Sequence, residues 1–147
     1  MDDFMRTAIE EAQQGIHQGH GGPFGCVIVK DGKIIGRGHN EVIRQNDPTC
    51  HGEIMAIHDA FKTLGTFDLT GCELYTTAQP CPMCQGAIMW SNIKKYYYGC
   101  TIYDTEKIGF RDAVFYAGPE FTAEQMDHEE CLDLFQEYEN INDRKPY

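Results

Sequence analysis

A chain of 147 residues with 41% hydrophobic and 24% charged positions suits a single globular domain, expected to bury about two-thirds of its unfolded surface around one core. Twelve Lys and Arg against 23 Asp and Glu leave a net charge of −11, which repels phosphate backbones and argues against a nucleic-acid partner. No apolar run reaches the ~20 residues of a membrane span, the opening "MDDFMRTAIEEAQQGI" is acidic and helical rather than signal-like, and an odd seven cysteines fit reduced thiols, so a cytoplasmic protein is expected.

Residues about 2–18 space Phe4, Ala8, Ala12 and Ile16 by four, predicting an amphipathic helix that ends at the glycine-rich "GHGGPFG". "FGCVIVKDGKIIGRGHN" predicts a β-hairpin turning at Asp31-Gly32. In "NDPTCHGEIMAIHDAFKTLG" Asp47 is placed as the N-cap of a second helix, Pro48 at its first position and Gly65 at its stop. "CELYTT" predicts a strand, "CPMCQGAIMW" a helix and "KKYYYGC" a strand, and the acidic tail from about 122 alternates short helical patterns. No repeat, linker or low-complexity tract divides residues 1–147. The order α-β-β-α-β-α-β-α implies one mixed sheet covered by helices on both faces, with ligands at strand ends beside helix N-termini.

Two chemical clusters fall at such helix starts. In "QPCPMC", Cys81 and Cys84 stand at i and i+3, on one helical face, and Pro82 is tolerated where first-turn N–H groups have no helical partner. Those N–H groups and the positive helix end favour thiolates. In "CHGE", His51 completes a His/Cys/Cys set of three. Structural zinc takes four protein ligands, whereas catalytic zinc keeps one position for water. Glu53 lies about 200° from His51 on a regular helix, so both reach one ligand only if the metal sits near the helix end. A lone C-x-x-C also fits core packing or a redox pair, and H-x-E alone says almost nothing. Their order, H-x-E followed by P-C-x-x-C about thirty residues on, is the signature of zinc nucleobase deaminases.

Over nearly its whole length the chain resembles the cytidine deaminase-like superfamily, through "GGPFGCVIV", "GRGHNEV", "NDPTCHGEI", "LYTTAQPCPMCQGAIMW" and "KKYYYGC". Within it the chain is most similar to the small bacterial guanine deaminases, by "IGFRDAVFY", like their G-F-x-D substrate loop, and by the aromatic ending "DRKPY". The resemblance implies a three-layer αβα fold around a mixed five-stranded sheet. It implies one Zn²⁺ per chain on His51, Cys81 and Cys84, with Glu53 moving protons. It places Asn40 and Asp112 on the base, Phe24 against its ring, and Tyr147 over the pocket of a partner in a homodimer that exchanges about residues 120–147. The implied reaction is guanine and water to xanthine and ammonia, a step of purine catabolism. Asp112 suits guanine because one carboxylate can accept both N1–H and the amino group.

The chain departs from the family at Gly52, where alanine is usual, and at Ala78 and Gln79, where polar or acidic residues are common. Asp112 and Asn40 also have bland readings as a loop cap and a turn residue. Cys26, Cys72, Cys100 and Cys131 read as core thiols, and Leu132, Phe135 and Tyr138 of the tail are expected to pack on something apolar. The alternatives are a tRNA adenosine deaminase, which shares the zinc motifs but needs basic surface, and a deaminase of guanosine, cytosine or an aminotriazine. A non-catalytic zinc-stabilised interaction module would have no use for Glu53 beside an open ligand position.

Overall fold

A computed structural model describes all 147 residues, and the elements of its first hundred follow the predicted order with one short helix added. Helix α1 spans Asp3–His17, capped by Asp2, whose carboxylate accepts the Met5 N–H at 2.9 Å. Strands β1 (Gly25–Lys30) and β2 (Lys33–His39) form the hairpin, and Asp31 and Gly32 both take positive φ (50° and 76°), as a type I′ turn requires. A short helix α2 (Val42–Gln45) precedes α3 (Gly52–Leu64); β3 is Glu73–Ala78, α4 Pro82–Trp90 and β4 Lys95–Cys100.

The sheet has four strands in the order β2-β1-β3-β4, antiparallel except for the parallel pair β3–β4. The expected fifth strand is absent. After Cys100 the chain enters α5 (Ile102–Lys107) through a capping box in which Thr101 and Asp104 bond each other's backbone N–H, and α6 (Asp112–Tyr116) follows. Alternation along β1 divides the core. Cys26 and Ile28 face Ala56, Ile57 and Ala60 of α3 and Ile88 of α4, while Val27 and Val29 meet Ala8 of α1 and the partly buried Phe4 and Tyr75. Helices thus cover both faces of the sheet.

Helix α3 starts four residues later than Asp47-Pro48 suggested. The Asp47 carboxylate caps a local turn instead, accepting the Thr49 N–H at 2.8 Å and its hydroxyl at 2.7 Å. Gly65 does end the helix, in the left-handed region at φ 68°, donating to Phe61 O. Cys26 and Cys72 are buried, but Cys100, closing the edge strand β4, and Cys131 are exposed, against the core reading of all four.

Residues 118–147 form a separate compact unit, built on α7 (His128–Glu139). Arg144 Nη1 donates to the carbonyls of Glu139 (2.6 Å) and Ile141 (3.1 Å), holding the turn after the helix. Every residue from 119 onward is exposed, including Leu132, Leu134, Phe135 and Tyr138, and Tyr147 is 84% exposed.

Candidate active site

The N-cap positions of α3 and α4 hold His51 and Cys81, where Ser, Thr, Asp or Asn would be usual. Both have extended backbone (φ −72°, ψ 159° and φ −69°, ψ 168°), and neither side chain caps its own helix. They turn toward each other. His51 Nδ1 lies 3.5 Å from Cys81 Sγ and 3.5 Å from Cys84 Sγ. Because His51 stands outside the helix, the 200° separation from Glu53 that a continuous helix would impose does not apply.

The set fits a zinc ion. All three donor atoms lie within 4.8 Å of one another. A tetrahedral zinc with ordinary Zn–S and Zn–N bonds holds sulfur and nitrogen about 3.5 Å apart, the separation found twice here. The charges agree with the geometry. The Cys81 thiol is pulled down to about 4, chiefly by the hydrogen bond from Cys84 and then by His51, while the Cys84 thiol is pushed up by the same pairing, by burial and by Glu53. The Cys81 thiol is thus biased toward thiolate, the form that binds a metal, at a positive helix end.

Glu53, in the first turn of α3, is 5% exposed. Its Oε1 accepts the Thr76 hydroxyl at 2.8 Å, and its Oε2 accepts from Cys84 Sγ at 3.3 Å. Burial raises the carboxyl above its usual range, opposed by hydrogen bonds from the backbone, Thr76 and Cys84 and by the charge of His51. A buried carboxylate beside a set of three ligands is equipped to move protons rather than to complete a structural site.

Of the residues expected to hold the base, Asp112 is close enough to the centre to feel its charges. Asp112, at the start of α6, is raised by partial burial and by the charge of Cys81 and lowered by His51, so it shares the field of the ligand set. Asn40 is 5% exposed; its N–H donates to Phe24 O at 2.8 Å and its Oδ1 accepts the Val42 N–H at 3.1 Å. Phe24 meets Phe110 edge to face, centroids 4.9 Å apart. A Cβ on Gly22 would stand 2.7 Å from the Phe24 ring and 2.8 Å from the Phe110 ring, so this pair needs glycine there. Tyr147 belongs to the separate C-terminal unit.

Three contributors escaped the sequence reading. Phe110 lay in the quoted loop without a role. Tyr116, one helical turn after Asp112, accepts from Gln85 Nε2 at 2.8 Å and donates to Pro80 O, fastening α6 to the entry of α4; the i, i+4 spacing was the available signal. Thr76 gave none, since a β-branched residue in a buried strand is ordinarily core. Of the departures, Gln79 links the strand ends to α5: its N–H donates to Cys100 O at 2.8 Å and its Oε1 accepts the Ile102 N–H at 3.3 Å. Gly52 has a packing reason, for a Cβ there would stand 2.8 Å from Phe24 O.

A second cluster, His20, His39 and Glu41, also brings donor atoms within 4.8 Å. Its geometry is a hydrogen-bonded chain. His39 Nδ1 meets Glu11 Oε2 at 2.9 Å, and its Nε2 meets His20 Nδ1 at 2.8 Å. The ring centroids are 5.1 Å apart with planes 20° from parallel, so the imidazoles lie end to end with their lone-pair axes in line. No ion fits between them. The chain ties α1 and β2 to the loop that leads to Phe24.

The model of the cytidine and deoxycytidylate deaminase zinc-binding region matches residues 1–100. The guanine deaminase of Bacillus subtilis (strain 168) is 42% identical over 99% of this chain and 98% of its own length, and its X-ray structure superposes with a TM-score of 0.93 over 100% of this chain and 99% of that one. The guanine deaminase of Nitrosomonas europaea has 30% identity and a TM-score of 0.71 over 89% of this chain and 70% of that one. A tRNA-specific adenosine deaminase of Aquifex aeolicus is 43% identical over 65% of this chain and 62% of its own.

Proposed function

The chain belongs to the cytidine and deoxycytidylate deaminase zinc-binding family, and on that premise we propose that it is a guanine deaminase, converting guanine and water to xanthine and ammonia. The observation that carries the choice of base is Asp112, a second, partly buried carboxylate close enough to Cys81 and His51 to feel their charges. Guanine presents N1–H and its amino group side by side, and one carboxylate can accept both. Cytosine and adenine offer a donor beside an acceptor and gain less from it.

His51, Cys81 and Cys84 would hold one Zn²⁺ per chain. When bound, zinc supplies the acidity that makes water a nucleophile near neutral pH. The remaining work falls to side chains. Glu53 accepts the proton released as water adds to the amino-bearing ring carbon and passes it to the adjacent ring nitrogen. It then takes the second proton, from the new hydroxyl, and gives it to the departing amine, so that the C–N bond breaks, ammonia leaves and the C=O of xanthine forms. Asp112 and the Asn40 amide fix the purine edge, and Phe24 with Phe110 forms an apolar wall for its ring.

Residues 118–147 support a homodimer. A 12-residue helix is marginal alone, and α7 leaves Leu134 and Phe135 61% and 66% exposed. The body of the fold exposes Trp90, Tyr98 and Tyr103 as well. Exchange of this segment between two copies, with Tyr147 covering the partner's pocket, would bury such surfaces and exclude water from the reaction. No helix is long and apolar enough to cross a membrane. A place in the cytoplasm, in purine breakdown, is part of the same proposal.

Ammonia release over a panel of guanine, guanosine, cytosine, adenine and tRNA tests the reading. Guanine is expected to be turned over with xanthine as product; turnover confined to adenosine in tRNA would replace this assignment by the tRNA-editing one.

A further inference from the structure

Two threonines adjoin in β3, and their side chains leave the strand on opposite faces. Thr77 serves the backbone: its hydroxyl donates to Pro23 O at 3.2 Å and accepts the Gly25 N–H at 3.1 Å, holding the loop before β1. Thr76 points into the core with Leu74 and Ala78, is 1% exposed, and pairs in register with Cys26 on one side and Tyr98 on the other. Packing alone would favour valine there, which has the same shape and no hydroxyl to desolvate. The Thr76 hydroxyl has one partner, Glu53 Oε1 at 2.8 Å.

We propose that Thr76 is a positioning residue for Glu53, assigning the two carboxylate oxygens different tasks. Oε1 is committed to Thr76. Oε2, beside Cys84, is left to exchange protons with the reacting centre. A carboxylate that must take up a proton and return it within one turnover gains from a fixed plane, because each transfer needs heavy-atom approach at hydrogen-bond distance. The strand supplies that fixity from below, since β3 lies in the middle of the sheet, paired with β1 and β4. A carboxylate without such a partner would have to find the geometry at each step.

The inference rests on the deaminase reading, and its test separates the two. Thr76→Val removes the hydroxyl and keeps the shape; Thr76→Ser keeps the hydroxyl and removes a methyl group. If Thr76 were only a core residue, serine would be the more damaging change in every measurement. As a positioning residue it gives opposite orders in two. Thr76→Val is expected to lower kcat by about 10- to 100-fold, the usual range for a residue orienting a functional ligand, with KM, zinc content and melting temperature close to wild type. Thr76→Ser is expected to melt lower while keeping kcat within about threefold, because the hydrogen bond persists. The base for these assays is whichever one the wild-type protein deaminates in the panel, so a wrong substrate and a wrong role for Thr76 leave different patterns. A Thr76→Val protein with wild-type kcat, or a Thr76→Ser protein as impaired in kcat as Thr76→Val, would overturn the proposal.

Discussion

The zinc-ligand centre and the C-terminal unit are built in opposite ways. At the centre, His51, Glu53, Cys81 and Cys84 converge from two helix starts, and hydrogen bonds account for each carboxylate and sulfur. Residues 118–147 carry apolar side chains at helical spacing but leave every one of them exposed. The difference separates chemistry that one chain assembles by local backbone geometry from apolar surface that, in the proposed dimer, would meet a second copy. Substitutions at the centre should therefore act on catalysis with the fold intact, and changes in the tail should act on assembly and closure.

The largest effect is expected at Glu53. Glu53→Gln should keep zinc and the melting profile while losing about 10²- to 10⁴-fold in kcat, since an amide cannot accept and return the proton. Near-normal ammonia release by this variant would remove Glu53 from the mechanism and leave the centre a merely structural one. Asp112→Asn comes next. Leaving a buried donor of guanine unpaired costs about 1–3 kcal/mol, or about 5- to 150-fold in kcat/KM, with zinc content unaffected. An unchanged kcat/KM would break the case for guanine.

A smaller effect sharpens the other half of the comparison. Deleting residues 143–147 should leave folding and zinc binding in place and lower guanine turnover several-fold, with light scattering reporting a dimer for the full chain. A truncated enzyme of full activity, or an active monomer, would take the tail out of the site. The smallest effect belongs to Gly52→Ala. Alanine in a helix normally gains up to ~1 kcal/mol over glycine, but here its Cβ would stand 2.8 Å from Phe24 O. The melting temperature should not rise; a clear gain would mean that the loop before β1 yields freely.

Much of the centre was legible because ligand chemistry constrains residue type and spacing together. His51, Cys81 and Cys84 announce themselves by identity, and the prolines around Cys81 mark the helix entry. The exact start of α3 was hidden, since Asp47 is as good a turn former as a helix cap and only the tertiary path decides which it becomes. Thr76 was invisible for a related reason: its strand periodicity is that of any core residue, and its hydroxyl acquires meaning only from Glu53, 23 residues away. The fifth strand was an expectation of kinship rather than of pattern, and the Thr101–Asp104 capping box turned that stretch of chain into helix. The tail's helical spacing was readable, but spacing cannot say which surface it meets.

X-ray absorption at the zinc edge of the purified protein, with metal analysis, tests the central arrangement most directly. One zinc per chain in a mixed shell of two sulfurs with nitrogen and oxygen neighbours is the expected result, matching His51, Cys81, Cys84 and a position left for water. A shell of four sulfurs, or active protein without zinc, would contradict it.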